Sequence, residues 1–186
     1  VLGRLLAVVC AAVAMLVPVP NAVAANEVPD LNPLIDDSGP LPGTVSDLTG
    51  IPDLAFTTPS GLACRKSRGK VTHSVACAGN FVGAPPGTRS VSLGTVYADG
   101  NGPAQFLPMA PAGLLGDPAK VPSIMLVPGH KIVFWDFSPT QSLVCGSPLG
   151  TEVVCVLQAA HENGAKNGAP AVTHGFVIAA PHSEVF

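Results

Sequence analysis

Charge and aromatic rings are scarce in this chain of 186 residues: charged side chains make up 11% and aromatics 5%, with one Trp and one Tyr. With 9 Lys and Arg against 12 Asp and Glu, the chain lacks the basic surface of a general nucleic-acid binder. Familiar catalytic motifs are missing as well. There is no Gly-x-Ser-x-Gly elbow for an α/β-type hydrolase, no Cys-x-x-Cys for thiol redox chemistry, no His-Glu-x-x-His for a metalloprotease and no glycine-rich phosphate loop. No Asn-x-Ser/Thr glycan acceptor occurs. Helical patterning is nearly absent: Val156 to Ala165 comes closest, but Asn163-Gly164 interrupts it and a loop end is expected. Gly and Pro are abundant instead, 20 of each, a composition of many turns and few long helices.

The one long apolar run, Leu5 to Val17, follows the lone early charge Arg4 and is closed by Pro18 and Pro20, after which Ala22-Val23-Ala24 supplies small residues. This reads as a secretory signal peptide over residues 1–24, cleaved after Ala24 with Ala25 as the alternative. Its 13 apolar residues fall short of the roughly 20 that span a bilayer as helix, so no transmembrane span is expected after cleavage. Cleavage removes Cys10 and Arg4. Cys64, Cys77, Cys145 and Cys155 remain, with 8 cations against 12 acids and a net charge of -4. Outside a reducing cytoplasm, four cysteines read as two disulfides. A zinc site is disfavoured, because no pair has the two-to-four-residue gap of a zinc knuckle. Three connectivities are open, and Cys64 with Cys77 and Cys145 with Cys155 is favoured because each pair flanks a strand, turn, strand pattern.

Residues 25–53 read as an extended Pro/Asp-rich N-terminal arm. Pro29, Pro33, Pro40, Pro42 and Pro52 break any helix, five aspartates sit there, and Leu31, Leu34, Ile35 and Leu48 are possible docking points. A single β domain is expected over residues 54–186. Its strand-like runs are Leu54 to Thr57, Val71 to Ala78, Ser90 to Tyr97, Ala104 to Leu107, Ser123 to Val127, Lys131 to Phe137, Glu152 to Gln158 and Thr173 to Ala179. In the sixth of these, alternation puts Ile132, Phe134 and Asp136 on one face and Val133, Trp135 and Phe137 on the other, which suggests a central strand. Pro128-Gly129-His130 fits a tight turn before it. The expected fold class is all-β: a small disulfide-stapled β-sandwich or partly open barrel.

Candidate functional residues are few. Arg65, Lys66, Arg68 and Lys70 form the one dense cationic cluster, between Cys64 and Cys77, and suit either a binding patch for an anionic or protein partner or a solvated hairpin tip. Among five histidines, His174 and His73 merit watching, the first because it opens an apolar strand. No metal site, cofactor or catalytic residue is assigned, although Ser60 or Ser147 with either histidine and an acid leaves a hidden triad open. Phe106 to Met109 and Ala112 to Leu115 suit either a groove lining or a core cover.

The run Phe56-Thr57-Thr58-Pro59-Ser60-Gly61-Leu62-Ala63-Cys64 carries the pattern Phe-Thr-x-Pro-Ser-Gly-x-x-Cys. Together with Val75-Ala76-Cys77 and a Cys145 to Cys155 hairpin leading to His174-Gly175-Phe176-Val177-Ile178, it resembles small secreted proteins of mycobacteria and related actinobacteria. The resemblance implies a secreted or envelope-associated β domain and adds support to Cys64 with Cys77. It transfers no catalytic residue. The leading functional expectation is a non-enzymatic binding domain for an unknown envelope or host component. A secreted hydrolase with an unrecognised site and an enzyme inhibitor presenting a stapled loop are the alternatives.

Overall fold

The computed structural model describes residues 28–38, 54–68, 73–94, 102–110, 123–138, 141–159 and 171–186. The leader, Lys70 and Leu48 lie outside them, as do Ala112 to Leu115. Twelve strands and no helix occur among the described residues: β1 (Ile35–Asp36), β2 (Leu54–Thr57), β3 (Ala63–Arg68), β4 (His73–Ala78), β5 (Ser90–Leu93), β6 (Gln105–Leu107), β7 (Ser123–Met125), β8 (His130–Ser138), β9 (Gln141–Gly146), β10 (Val153–Ala159), β11 (Val172–Ile178) and β12 (Glu184–Val185). The segment that comes closest to helical patterning, Val156 to Ala165, continues the expected Glu152 to Gln158 strand as far as Ala159, and its remainder lies outside the described residues.

Two six-stranded sheets form, in the orders β6-β5-β4-β3-β2-β7 and β1-β8-β9-β10-β11-β12. Each is an antiparallel meander of five consecutive strands with one parallel strand added beside the first: β7 beside β2, and β1 beside β8. The two sheets do not close into a barrel, so the fold is a sandwich with a common core. Phe56, Val75, Val91 and Leu93 of the first sheet and Ile132, Phe134, Leu157, Phe176 and Ile178 of the second belong to one buried cluster. The Phe56 and Phe134 rings meet across it with centroids 5.9 Å apart. That distance is typical of a packed aromatic pair.

Both expected disulfides are present. Cys64 faces Cys77 in the β3–β4 register with Cα atoms 4.0 Å apart, and Cys145 faces Cys155 in β9–β10 at 4.1 Å. All four cysteines are fully buried on the inner faces. Facing residues of an antiparallel pair alternate between wide and narrow spacing, and only the narrow sites bring Cβ atoms close enough for a bridge. Disulfide-bonded cysteines fit an extracellular or otherwise oxidising environment. No helix among the described residues is long and apolar enough to cross a membrane.

The chain passes from one sheet to the other at the expected Pro128-Gly129 turn. The His130 amide donates to the Val127 carbonyl at 3.2 Å, and Gly129 has φ +85°, the signature of a type II turn with proline first and glycine second. Because β7 and β8 belong to different sheets, this turn is a crossover and not a hairpin. β8 is also not central: it lies second from the edge, covered on its outer side by the two residues of β1.

Candidate functional site

Strand alternation fixes what the outer face of the β8-β9-β10 region presents. With Cys145 and Cys155 facing inward, Val144 and Val156 must face outward, and they pair directly with each other. Val144 also faces Val133 on β8, so three valines form one row across three strands. The next row along the strands is polar: Asp136 faces Ser142, which faces Gln158. Simple alternation from Ile132 and Phe134 places Asp136 on the buried side, and the structure corrects this. The register shifts between Val133 and Trp135, so that Phe134 is an extra residue in a β-bulge. One inserted residue inverts the parity beyond it. Phe134 therefore points into the core at 4% exposure while Asp136 is exposed on the valine side.

The N-terminal arm pairs along the edge of β8 through residues 35–38 and lies over this face through the residues before them. The Ile35 amide donates to the Gly129 carbonyl at 3.0 Å and the Asp37 amide to the Lys131 carbonyl at 2.9 Å. The Val133 amide donates to the Ser38 hydroxyl. An Asp37 carboxylate oxygen lies 2.8 Å from His130 Nδ1. Lys131 Nζ donates to the Leu31 and Asn32 carbonyls at 3.1 and 3.2 Å. Leu31 and Leu34 dock where Gly146 leaves the outer face bare: a Cβ there would sit 2.6 Å from Leu34 Cδ1 and 3.0 Å from Leu31 Cδ2. Two of the expected docking residues thus do dock, while Ile35 remains 61% exposed.

Between arm and sheet lies a groove of 470 Å³. Val133, Val144 and Val156 line it, as do Asp136, Ser142 and Gln158, and residues 28–32 form the other wall. The Ser142 hydroxyl donates to Gln158 Oε1 at 3.0 Å. This site was not legible as such in the sequence. The signal that leads to it is the disulfide register, which makes Val144 and Val156 neighbours once Cys145 and Cys155 are paired.

Of the expected cationic cluster, Arg65 and Lys66 are not presented on one surface. Arg65 to Arg68 belong to β3 and not to a hairpin tip, so neighbours point to opposite sides. Lys66 shares the face of Cys64, where it is fully buried, while Arg65 is half-buried on the other face. His73 opens β4 on one sheet and His174 is half-buried in β11 on the other. Ser147 is buried, its hydroxyl donating to the Thr151 carbonyl at 3.2 Å. Ser60 does meet an acid: its hydroxyl and that of Thr58, 2.8 Å apart, both donate to Glu152 Oε1, Thr58 from 2.9 Å. Thr58 is buried, and its hydroxyl also accepts the Leu62 amide at 3.2 Å. This group clasps the β2–β3 turn to the start of β10, one sheet to the other. Among the described residues no group of three or more His, Cys, Asp or Glu is placed to hold a metal ion.

No protein-family model matches the chain, and neither a curated protein nor a solved structure shows significant similarity to it.

Proposed function

We propose that this is an exported, non-enzymatic binding domain of the cell envelope or extracellular space, and that it engages its partner through the groove between the N-terminal arm and the β8-β9-β10 face. The groove itself carries the reading: a concave strip that pairs an aliphatic row with a polar row is how binding sites combine affinity with orientation. Export rests on the leader-like sequence of residues 1–24 and agrees with two buried disulfides. The Arg65 to Lys70 segment is a weaker candidate surface, because Lys66 is buried.

Photocrosslinking tests the location. A benzophenone amino acid is placed at Val144, or at Arg65 as the control on the other sheet, and the purified protein is illuminated with an envelope fraction of the producing cell. Adducts concentrated at position 144 are expected. Equal or stronger adduct formation from position 65 moves the site away from the groove. Covalent labelling by a fluorophosphonate probe, lost on boiling, overturns the non-enzymatic reading.

A further inference from the structure

We infer that the groove takes an extended basic peptide segment, with an aliphatic residue on the valine row and a Lys or Arg two positions along it at Asp136; this rests on the groove being the binding site. The two rows of the sheet face set the spacing. Val144 and Ser142 are two residues apart on one strand and face the same way. Such residues are separated by about 6.8 Å, as are residues i and i+2 of any extended peptide. A Val-x-Lys unit laid along the strands therefore sets its valine over Val144 and its ammonium over the Asp136 row, in register.

Charge selects the cation. Lys131, the one basic residue lining the groove among the described residues, directs its ammonium to the Leu31 and Asn32 carbonyls of the arm. Asp136 is exposed and has no cationic partner among the described residues. Asp30 adds a second carboxylate, of which Oδ1 accepts the Asn32 amide. An anionic ligand meets repulsion here, whereas a lysine lays its methylenes on valine and keeps its charge at the solvated rim. Peptide backbone also matches the polar row: with Gln158 Oε1 engaged by Ser142, the Gln158 amide nitrogen keeps donors and the Ser142 oxygen keeps lone pairs for a peptide group.

The test is a titration of the isotopically labelled protein, cleaved after Ala24, with acetyl-Gly-Val-Ser-Lys-Gly amide, followed by amide resonances. The expected result is selective shifts at Val133, Val144 and Val156. Binding weakens about threefold to fivefold in Asp136→Asn, the size of one exposed ion pair, and weakens further with added salt. Asp136 is exposed, so this variant keeps the fold, which its own amide spectrum verifies. Equal binding of the peptide with Glu in place of Lys, equal binding of acetyl-Gly-Val-Lys-Ser-Gly amide, or no shift in the groove overturns the inference. If position 144 still crosslinks to envelope material in that case, the groove stands as the binding site for another ligand. If it does not, the proposed function fails with it.

Discussion

The β3–β4 and β9–β10 hairpins follow one plan and end with different surfaces. Each supplies the second and third strands of a five-stranded meander, and each carries one disulfide between directly facing, fully buried cysteines. Inward they are equivalent, since both contribute to the same core. Outward they diverge. On β9–β10 the outward residues Ser142, Val144, Val156 and Gln158 line an open groove. On β3–β4 the outward pairs are Arg65 with Ala76 and Ser67 with Ser74, and both Ala76 and Ser74 are buried at 6% exposure. A bridge between facing residues fixes register, and with it which residues face each other on both sides of the hairpin. It does not set the chemistry of the outward residues, and the difference between the hairpins lies there.

Removing the staples is the most severe way to break the comparison. The bridges close similar lengths of chain, with separations of 13 and 10, so a chain-entropy estimate assigns each about 3 kcal/mol. Replacing Cys64 and Cys77 together by Ala, and in a second variant Cys145 and Cys155, is expected to lower the urea-unfolding free energy by that amount or more. The two losses should agree within about 1 kcal/mol if loop closure dominates. A larger gap means that packing around one bridge differs from the other.

Two glycines sharpen the contrast between a face covered rigidly and one covered by a yielding arm. A Cβ on Gly175 would lie 2.5 Å from the Cys155 carbonyl oxygen and 2.4 Å from the Phe186 ring. Backbone cannot step aside, so Gly175→Ala is expected to cost about 1–3 kcal/mol of stability. At Gly146 the nearest obstacles are the ends of the Leu34 and Leu31 side chains. Gly146→Ala should leave the melting temperature within a few degrees of wild type while exposing residues 28–38 to limited proteolysis. A large thermal shift at Gly146 would show that the arm is integral to the sandwich.

The clasp joining the two halves is expected to contribute less than either disulfide. Glu152→Ala removes the acceptor shared by Thr58 and Ser60 and leaves a buried threonine hydroxyl to find another partner. A loss of about 1.5 kcal/mol in denaturant unfolding is expected, with partial retention in Glu152→Gln, which keeps an oxygen acceptor. No loss in either variant would mean that the core alone holds the sheets together.

Strands with apolar alternation are legible in the sequence: Leu54–Thr57 matches to the residue, and the expected runs around β4, β8, β10 and β11 match within two residues at each end. β3 is absent from those runs because Ala-Cys-Arg-Lys-Ser-Arg has no alternating hydrophobic signal; its place between β2 and β4 makes it a strand. β1 and β12, of two residues each, carry too little pattern to be read at all. For the site, the valines of β9 and β10 follow from the disulfide pairing, whereas Asp136 does not, since nothing local to Lys131 to Phe137 marks the bulge.

By itself the sequence determined the all-β class and favoured the two short-range disulfides, with the inward rows that follow from that pairing. All of these rest on local periodicity and on cysteines close in the chain. Tertiary structure decided the rest: that Lys66 goes inside and Arg65 outside, that β8 lies near an edge, and that Asp136 turns outward beside Ser142. It also set residues 35–38 along the edge of β8 and residues 28–34 over a face belonging to residues 130–158. Those outcomes depend on register and on contacts between residues roughly a hundred positions apart, whose free energy is spread over many side chains and is written in no single segment of the chain.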